Sequence, residues 1–283
     1  MTAAALLSIR LPMPELPEVE TTVRGLAHVL EGARLTRVET RRPDLRFPFP
    51  PDLVQALTGA RVTALGRRAK YGLLHTDRGR TMIFHLGMSG RWRIDPDTLG
   101  PHDHLLLETE QHRLSLCDPR RFGFVALAET QALDAYPPFA AMGPEPLGED
   151  LTPAHLHAAF AARKQAVKLL LLNQRMVAGL GNIYVCEALW RARIDPQKAA
   201  GQVSCPALAR LVPAIREVLE EAIGQGGSTL RDYARPDGQL GYFAHSFAVY
   251  DREGQPCARA DGGTIRRIAQ GGRSTWFCPK CQR

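Results

Sequence analysis

The chain has 283 residues, 45 % of them hydrophobic, enough for about two domains with real cores at roughly 150 residues each. Lys and Arg exceed Asp and Glu by 36 to 29, giving +7 and a pI near 9.3, which points toward a polyanionic partner without requiring one. No apolar run reaches the roughly 18 residues of a membrane span, and the opening MTAAALLSIRLP lacks the basic leader and cleavage site of a signal peptide, so a cytoplasmic protein with no membrane partner is expected.

In chain order, Glu15–Glu31 reads as a helix, because Val19, Val23, Leu26 and Leu30 recur at helical spacing and Pro17 suits a first turn. From Arg34 to about Leu127 the chain reads as short strands, such as Thr81–Leu86, Leu105–Leu107 and Phe124–Leu127, between Gly, Pro and Asp breaks. That pattern predicts a sandwich of short strands. Tyr136–Gly148 carries four prolines and two glycines and is the best linker. Helical spacing returns over Ala154–Asn173, Ile183–Ala192 and Ala207–Ile223, with Gly224, Gly226 and Gly227 stopping the last. From about Phe243 a small β-like unit with Gly-rich turns ends in Cys278-Pro-Lys-Cys281. The expected units are a 1–12 extension absent from the active protein, a catalytic unit over 13–135, a linker over 136–150, a helical unit over 151–242 and a terminal unit over 243–283.

The six cysteines, Cys117, Cys186, Cys205, Cys257, Cys278 and Cys281, are scattered except at the end, which in a reducing compartment fits buried thiols plus a metal site. From Gln255 onward there are six basic residues and one acid, Asp261, a footprint that suits phosphate contact.

Eight short motifs occur in series: MPELPEVE (Met13–Glu20), RRAKY (Arg67–Tyr71), HLGMSG (His85–Gly90), HDH (His102–His104), DPRRFG (Asp118–Gly123), GPEPL (Gly143–Leu147), GLGNIY (Gly179–Tyr184) and the final CPKC. Together they resemble the formamidopyrimidine-DNA glycosylase family, in that family's order and over nearly the whole chain from Met13. The resemblance implies an α+β multidomain fold: an N-terminal β-sandwich with a flanking helix, a helix-two-turn-helix domain and a C-terminal zinc-finger-like β-hairpin. It implies a monomer at the bacterial nucleoid that excises oxidised purines from double-stranded DNA and then cleaves the abasic site.

Elementary chemistry agrees with that reading of the first motif. Loss of Met13 would free the secondary amine of Pro14, and an α-amino group titrates near about 7.7–8.0, so part of it is neutral and nucleophilic at pH 7. Attack on the sugar C1′ displaces the base and leaves an iminium that acidifies the C2′ hydrogen. Glu15 stands next to the amine as a general acid. In the sequence as given, Pro14 nitrogen is a peptide amide, so this reading requires translation to begin at Met13 or the extension to be processed.

By resemblance, Lys70 and Arg273 complete the catalytic set, with Arg273 tied to the second elimination. Met88, Arg120 and Phe122 would fill the gap left by an extruded base. His102, Lys164 and Lys168 match DNA contacts, Arg67 and Arg68 suit general phosphate contact, and Asn182 caps a helix behind glycines that let a phosphate approach. Cys257, Cys278 and Cys281 match three of the family's four zinc-ligating cysteines. Where the fourth would stand the chain reads Ala-Arg-Ala-Asp261, so Asp261 or a water is the candidate fourth ligand of a single structural zinc. Two other readings remain open from sequence: an endonuclease VIII-like enzyme acting on oxidised pyrimidines, against which Leu16 argues, and a non-catalytic lesion-binding protein.

Overall fold

A computed structural model describes residues 14–228 and 243–283, so the 1–12 extension and the end of the helical unit lie outside the described residues. Helix α1 spans Leu16–Leu30 with Pro17 in its first turn, and Val19, Val23, Leu26 and Leu30 are buried along one face. Strand β1 (Arg37–Thr40) and the short helix α2 (Leu53–Leu57) follow, then β2 (Val62–Arg68), β3 (Tyr71–Thr76), β4 (Arg80–His85), β5 (Arg91–Ile94), β6 (Asp103–Glu108), β7 (Arg113–Cys117) and β8 (Phe124–Glu129). They form two antiparallel four-stranded sheets, ordered β1-β6-β7-β5 and β2-β3-β4-β8. One apolar cluster joins both sheets and α1 through Val19, Leu26, Leu74, Phe84, Trp92 and Leu105. Burying each such side chain contributes roughly 1.5–3 kcal/mol, which makes this cluster the main reason the sandwich closes.

The proline-rich link holds one short helix, α3 (Pro137–Ala140). Beyond it lie α4 (Pro153–Phe160), α5 (Val167–Leu171), α6 (Asn182–Ala192) and α7 (Cys205–Gly224). The Thr152 hydroxyl caps α4 by accepting from His155 N at 3.0 Å. The sequence reading of one helix over Ala154–Asn173 is corrected here. Ala162 turns left-handed at φ 57°, and the chain then bridges Ala166 to Ala199 and donates Val167 N to Lys198 O at 2.8 Å. A tertiary pairing thus breaks an apolar period that is helical on its own.

The last unit is a hairpin, β9 (Arg266–Gln270) and β10 (Arg273–Phe277), turned by Gly271-Gly272, both at positive φ as a two-residue hairpin turn demands. Its Trp276 and Cys278 belong to the same apolar cluster as α4–α7. No helix among the described residues is long and apolar enough to cross a membrane.

Candidate active site at the junction of two cores

Helix α1 is shared between two cores. Leu16 packs in the cluster of the helical unit, whereas Val19 onward packs in the sandwich. Leu16 N donates to Gly179 O at 3.3 Å, so the Pro14-Glu15 end is docked on the GLGN loop while the rest of the helix rides on the sheets.

Glu15 is buried at the amino end of α6, where its carboxylate accepts Ile183 N at 3.0 Å and Tyr184 N at 3.4 Å. A Cβ on Gly181 would lie 2.1 Å from the Glu15 carboxyl carbon, so glycine is required for this approach. The expected cap is corrected accordingly: Gly181 holds the cap position and Asn182 is the first helical residue. Burial pushes the Glu15 carboxyl up to about 7, against the lowering effect of Lys70 and the two backbone donors. A carboxyl titrating near neutrality can both hold and release a proton, as general acid work needs.

Glu18 is also buried and binds both units. It accepts Glu15 N at 2.9 Å, Tyr184 Oη at 2.6 Å, and Ser228 N and Oγ at 2.8 Å each. The spacing of the first motif shows only a second acid one helical turn on, so this role is invisible in sequence.

Lys70 lies in the turn between β2 and β3 and is buried. Burial lowers its pKa, Glu15 raises it, Arg273 lowers it and Glu18 raises it, so burial and these three charges together set its proton affinity. Arg67 and Arg68 do not present free guanidinium groups for phosphate, which corrects that expectation. Arg67 bonds Glu20 and Glu145 at 2.8 Å each, and Arg68 bonds Glu145 at 2.7 Å.

The predicted wedge residues lie on two loops in contact. Phe122 is 44 % exposed, Arg120 stacks over its ring at 4.9 Å, and Met88 is half-buried in the turn after β4. A Cβ on Gly87 would meet Phe122 backbone at 2.3 Å, which shows how tightly the loops abut. Asp118, the first residue of the DPRRFG motif, organises the second loop. It accepts Ser89 Oγ at 2.6 Å and Gly123 N at 2.8 Å, and Ser89 Oγ in turn accepts Arg120 N at 3.1 Å. His102 and Lys164 are exposed. Lys168 is fully buried and donates to Ser274 O at 3.1 Å and Thr275 Oγ1 at 2.6 Å, so in this arrangement it is an internal tie and not a phosphate contact.

Asn182 Nδ2 also donates to Ser274 O, at 3.0 Å, and with Lys168 fastens the strand that starts at the exposed Arg273. At the far end of the finger, ligand atoms of Cys257, Asp261, Cys278 and Cys281 lie within 4.8 Å of one another. Cys257 and Cys281 sulfurs are 3.9 Å apart, and Cys278 Sγ is 3.8 Å from Asp261 Oδ2. A tetrahedral zinc with bonds of about 2.3 Å to sulfur needs edges near about 3.7 Å, which these separations approach. Gly263 N holds Asp261 Oδ1 at 2.7 Å, leaving Oδ2 turned toward the thiols, so the donor set fits one zinc ion.

Three family models match the chain: the formamidopyrimidine-DNA glycosylase N-terminal domain over residues 13–125, its H2TH domain over 142–234, and the zinc finger found in FPG and IleRS over 254–283. A formamidopyrimidine-DNA glycosylase of Erythrobacter litoralis is 72 % identical, and one of Novosphingobium aromaticivorans 68 %, each with 96 % of this chain and 100 % of the relative covered. Among solved structures, MutM (Fpg) of Thermus thermophilus superposes with a TM-score of 0.85 at 40 % identity, covering 95 % of this chain and 98 % of that one. The Lactococcus lactis Fpg complex with DNA containing an abasic site gives 0.88 at 35 % identity, covering 95 % and 100 %.

Proposed function

Because the chain belongs to the formamidopyrimidine-DNA glycosylase family, we propose that it excises oxidised purines, 8-oxoguanine and formamidopyrimidines among them, from duplex DNA and cleaves the resulting abasic site. The observation that carries this reading is the buried Glu15 carboxyl, near neutrality on a helix amino terminus, next to Pro14 and under the charge of Lys70, on which Arg273 also acts. The match of the first family model from residue 13 supports a nucleophile at Pro14.

In this scheme the Pro14 nitrogen lone pair forms a bond to C1′ as the glycosidic bond breaks, and the base leaves with that bonding pair. Glu15 gives a proton at the sugar oxygen or the leaving base. The amine then loses its remaining proton, its nitrogen pair breaks the C1′–O4′ bond and O4′ takes up a proton, leaving an iminium that draws electron density from C2′. Loss of the C2′ proton expels the 3′ phosphate, and a second elimination expels the 5′ phosphate. Lys70, buried and with a lowered pKa, moves protons beside the sugar, and Arg273 serves the second elimination. Arg120, Met88 and Phe122 occupy the space of the extruded nucleotide, and His102, Lys164 and the Asn182 end of α6 meet the backbone. Cys257, Cys278, Cys281 and Asp261 hold the zinc, which supplies a structural cross-link and no reaction step. We place the enzyme in the cytoplasm at the nucleoid, acting as a monomer.

Borohydride trapping tests the scheme. On duplexes containing 8-oxoguanine, protein with its native amino terminus should form a covalent complex. Binding without trapping would favour the non-catalytic reading, and stronger trapping on an oxidised pyrimidine would favour the endonuclease VIII-like one.

A further inference from the structure

The GPEPL motif has no part in the scheme above, yet its glutamate binds the residue next to Lys70 and both arginines that precede it. Glu145 Oε1 accepts Ala69 N at 2.6 Å and Arg68 Nη1 at 2.7 Å, and Oε2 accepts Arg67 Nη1 at 2.8 Å. Arg68 also donates to Gly143 O at 2.9 Å, and Arg67 donates to Ala69 O at 2.9 Å and to Glu20 at 2.8 Å. Ala69, the residue before Lys70, is fully buried with φ at 53°, a left-handed backbone that a non-glycine residue adopts only when its surroundings hold it there. The acceptor for its N–H is the Glu145 carboxylate.

The other side of Glu145 is stitched to the helical unit. Gly143 N donates to Gln174 O at 2.9 Å, and Ala178 N donates to Pro144 O at 3.0 Å. A Cβ on Gly143 would lie 2.7 Å from Met176 backbone, so the two segments run in backbone contact. Gln174 in turn accepts Gly179 N at 2.8 Å and donates to Leu180 O at 2.9 Å, fixing the loop that receives Leu16 and Glu15. The Glu15 end and the Lys70 turn therefore share one frame, residues 174–184, one directly and the other through Glu145. Burial would raise the Glu145 carboxyl, but the charges and hydrogen bonds of Arg67, Arg68 and the Ala69 N–H hold it below the ordinary carboxylate range.

We propose that Glu145 is a positioning residue for Lys70, a carboxylate that clamps the β2–β3 turn to the GLGN loop and so sets Lys70 against Glu15 and the reacting sugar. This rests on the assignment of Lys70 to the catalytic set. Removing the clamp should cost rate through Lys70 and leave DNA binding intact, because Arg120, Met88, Phe122, His102 and Lys164 lie on other segments and Asn182 is tied separately to Ser274 O.

A double-mutant cycle tests it, using protein with its native amino terminus in single-turnover cleavage of an abasic-site duplex. Glu145→Gln keeps the shape and removes the charge. It should slow cleavage at least ~10-fold with Kd for the duplex within about two-fold of wild type, and should have no further effect on Lys70→Gln, because residues that act as a unit are not additive. Arg68→Met approaches the same clamp from its other side and should show a smaller loss with the same dependence on Lys70. If Glu145→Gln fails to fold, Arg68→Met carries the cycle alone. Losses that multiply on the Lys70→Gln background, or a loss confined to Kd, would overturn the clamp. Failure of wild-type protein to trap with borohydride would overturn the proline scheme itself, a separate outcome.

Discussion

At Glu15, burial and a helix terminus act in opposite directions. Burial away from water raises the carboxyl, the Ile183 and Tyr184 N–H groups and Lys70 lower it, and burial wins, leaving it at about 7. Base excision that draws a proton from Glu15 should therefore decline as pH rises through about 7, and Glu15→Gln should lose that limb along with most of the glycosylase rate; a single-turnover pH series on 8-oxoguanine duplexes reads both. The same shift has a cost in stability. With the folded value about 7 and the ordinary value 4.5, the folded chain keeps a proton that the unfolded chain releases, so stability falls as pH rises between those values. At about 1.4 kcal/mol per unit the full loss is about 3 kcal/mol. Glu15→Gln should thus be more stable than wild type at pH 8 in denaturant titrations, and the gap should close toward pH 4.5. A variant less stable at pH 8 would show that the carboxylate is held favourably.

Among the elements, the finger is held at both ends by different means. Near Arg273 the ties are Lys168 and Asn182 on Ser274 and Thr275, and at the far end the tie is the set of Cys257, Asp261, Cys278 and Cys281. Asp261→Ala removes one of four donors and should lower zinc per chain below about half, while Asp261→Cys should keep about one ion, since structural zinc sites are four-coordinate. Metal analysis of purified protein checks this. The δ-elimination product should fall before the β-product as the Arg273 strand loosens. Unchanged zinc in Asp261→Ala would remove Asp261 from the ligand set. The spacing of Cys278 and Cys281 with the family resemblance named the three cysteines and left Asp261 or water as the fourth ligand, and the alternation of short strands was enough to predict the sandwich. Sequence spacing did not show that the Ala154–Asn173 period breaks at Ala162, because periodicity reports which face is apolar and not that Ala166 pairs with Ala199. Nor did it show Lys168 buried, since its partners lie 106 and 107 residues away.

On the scale of the whole molecule, the site exists because two cores meet on one helix. Leu16 belongs to one and Val19 to the other, and Glu18, Glu145 and Glu15 each bridge the two units by hydrogen bonds. The motifs named Glu15 but gave Glu18 and Glu145 no role, because a bridging role depends on partners far off in the chain. In the proposed scheme everything depends on one atom, the Pro14 nitrogen, which is nucleophilic only when nothing precedes it. Protein purified from its native source, trapped with borohydride on an 8-oxoguanine duplex and digested, gives the position of the adduct by peptide mass spectrometry. The expected adduct is a deoxyribose remnant on an amino-terminal peptide that begins at Pro14. An adduct on a lysine, or trapping by a chain that retains residues before Pro14, would contradict it.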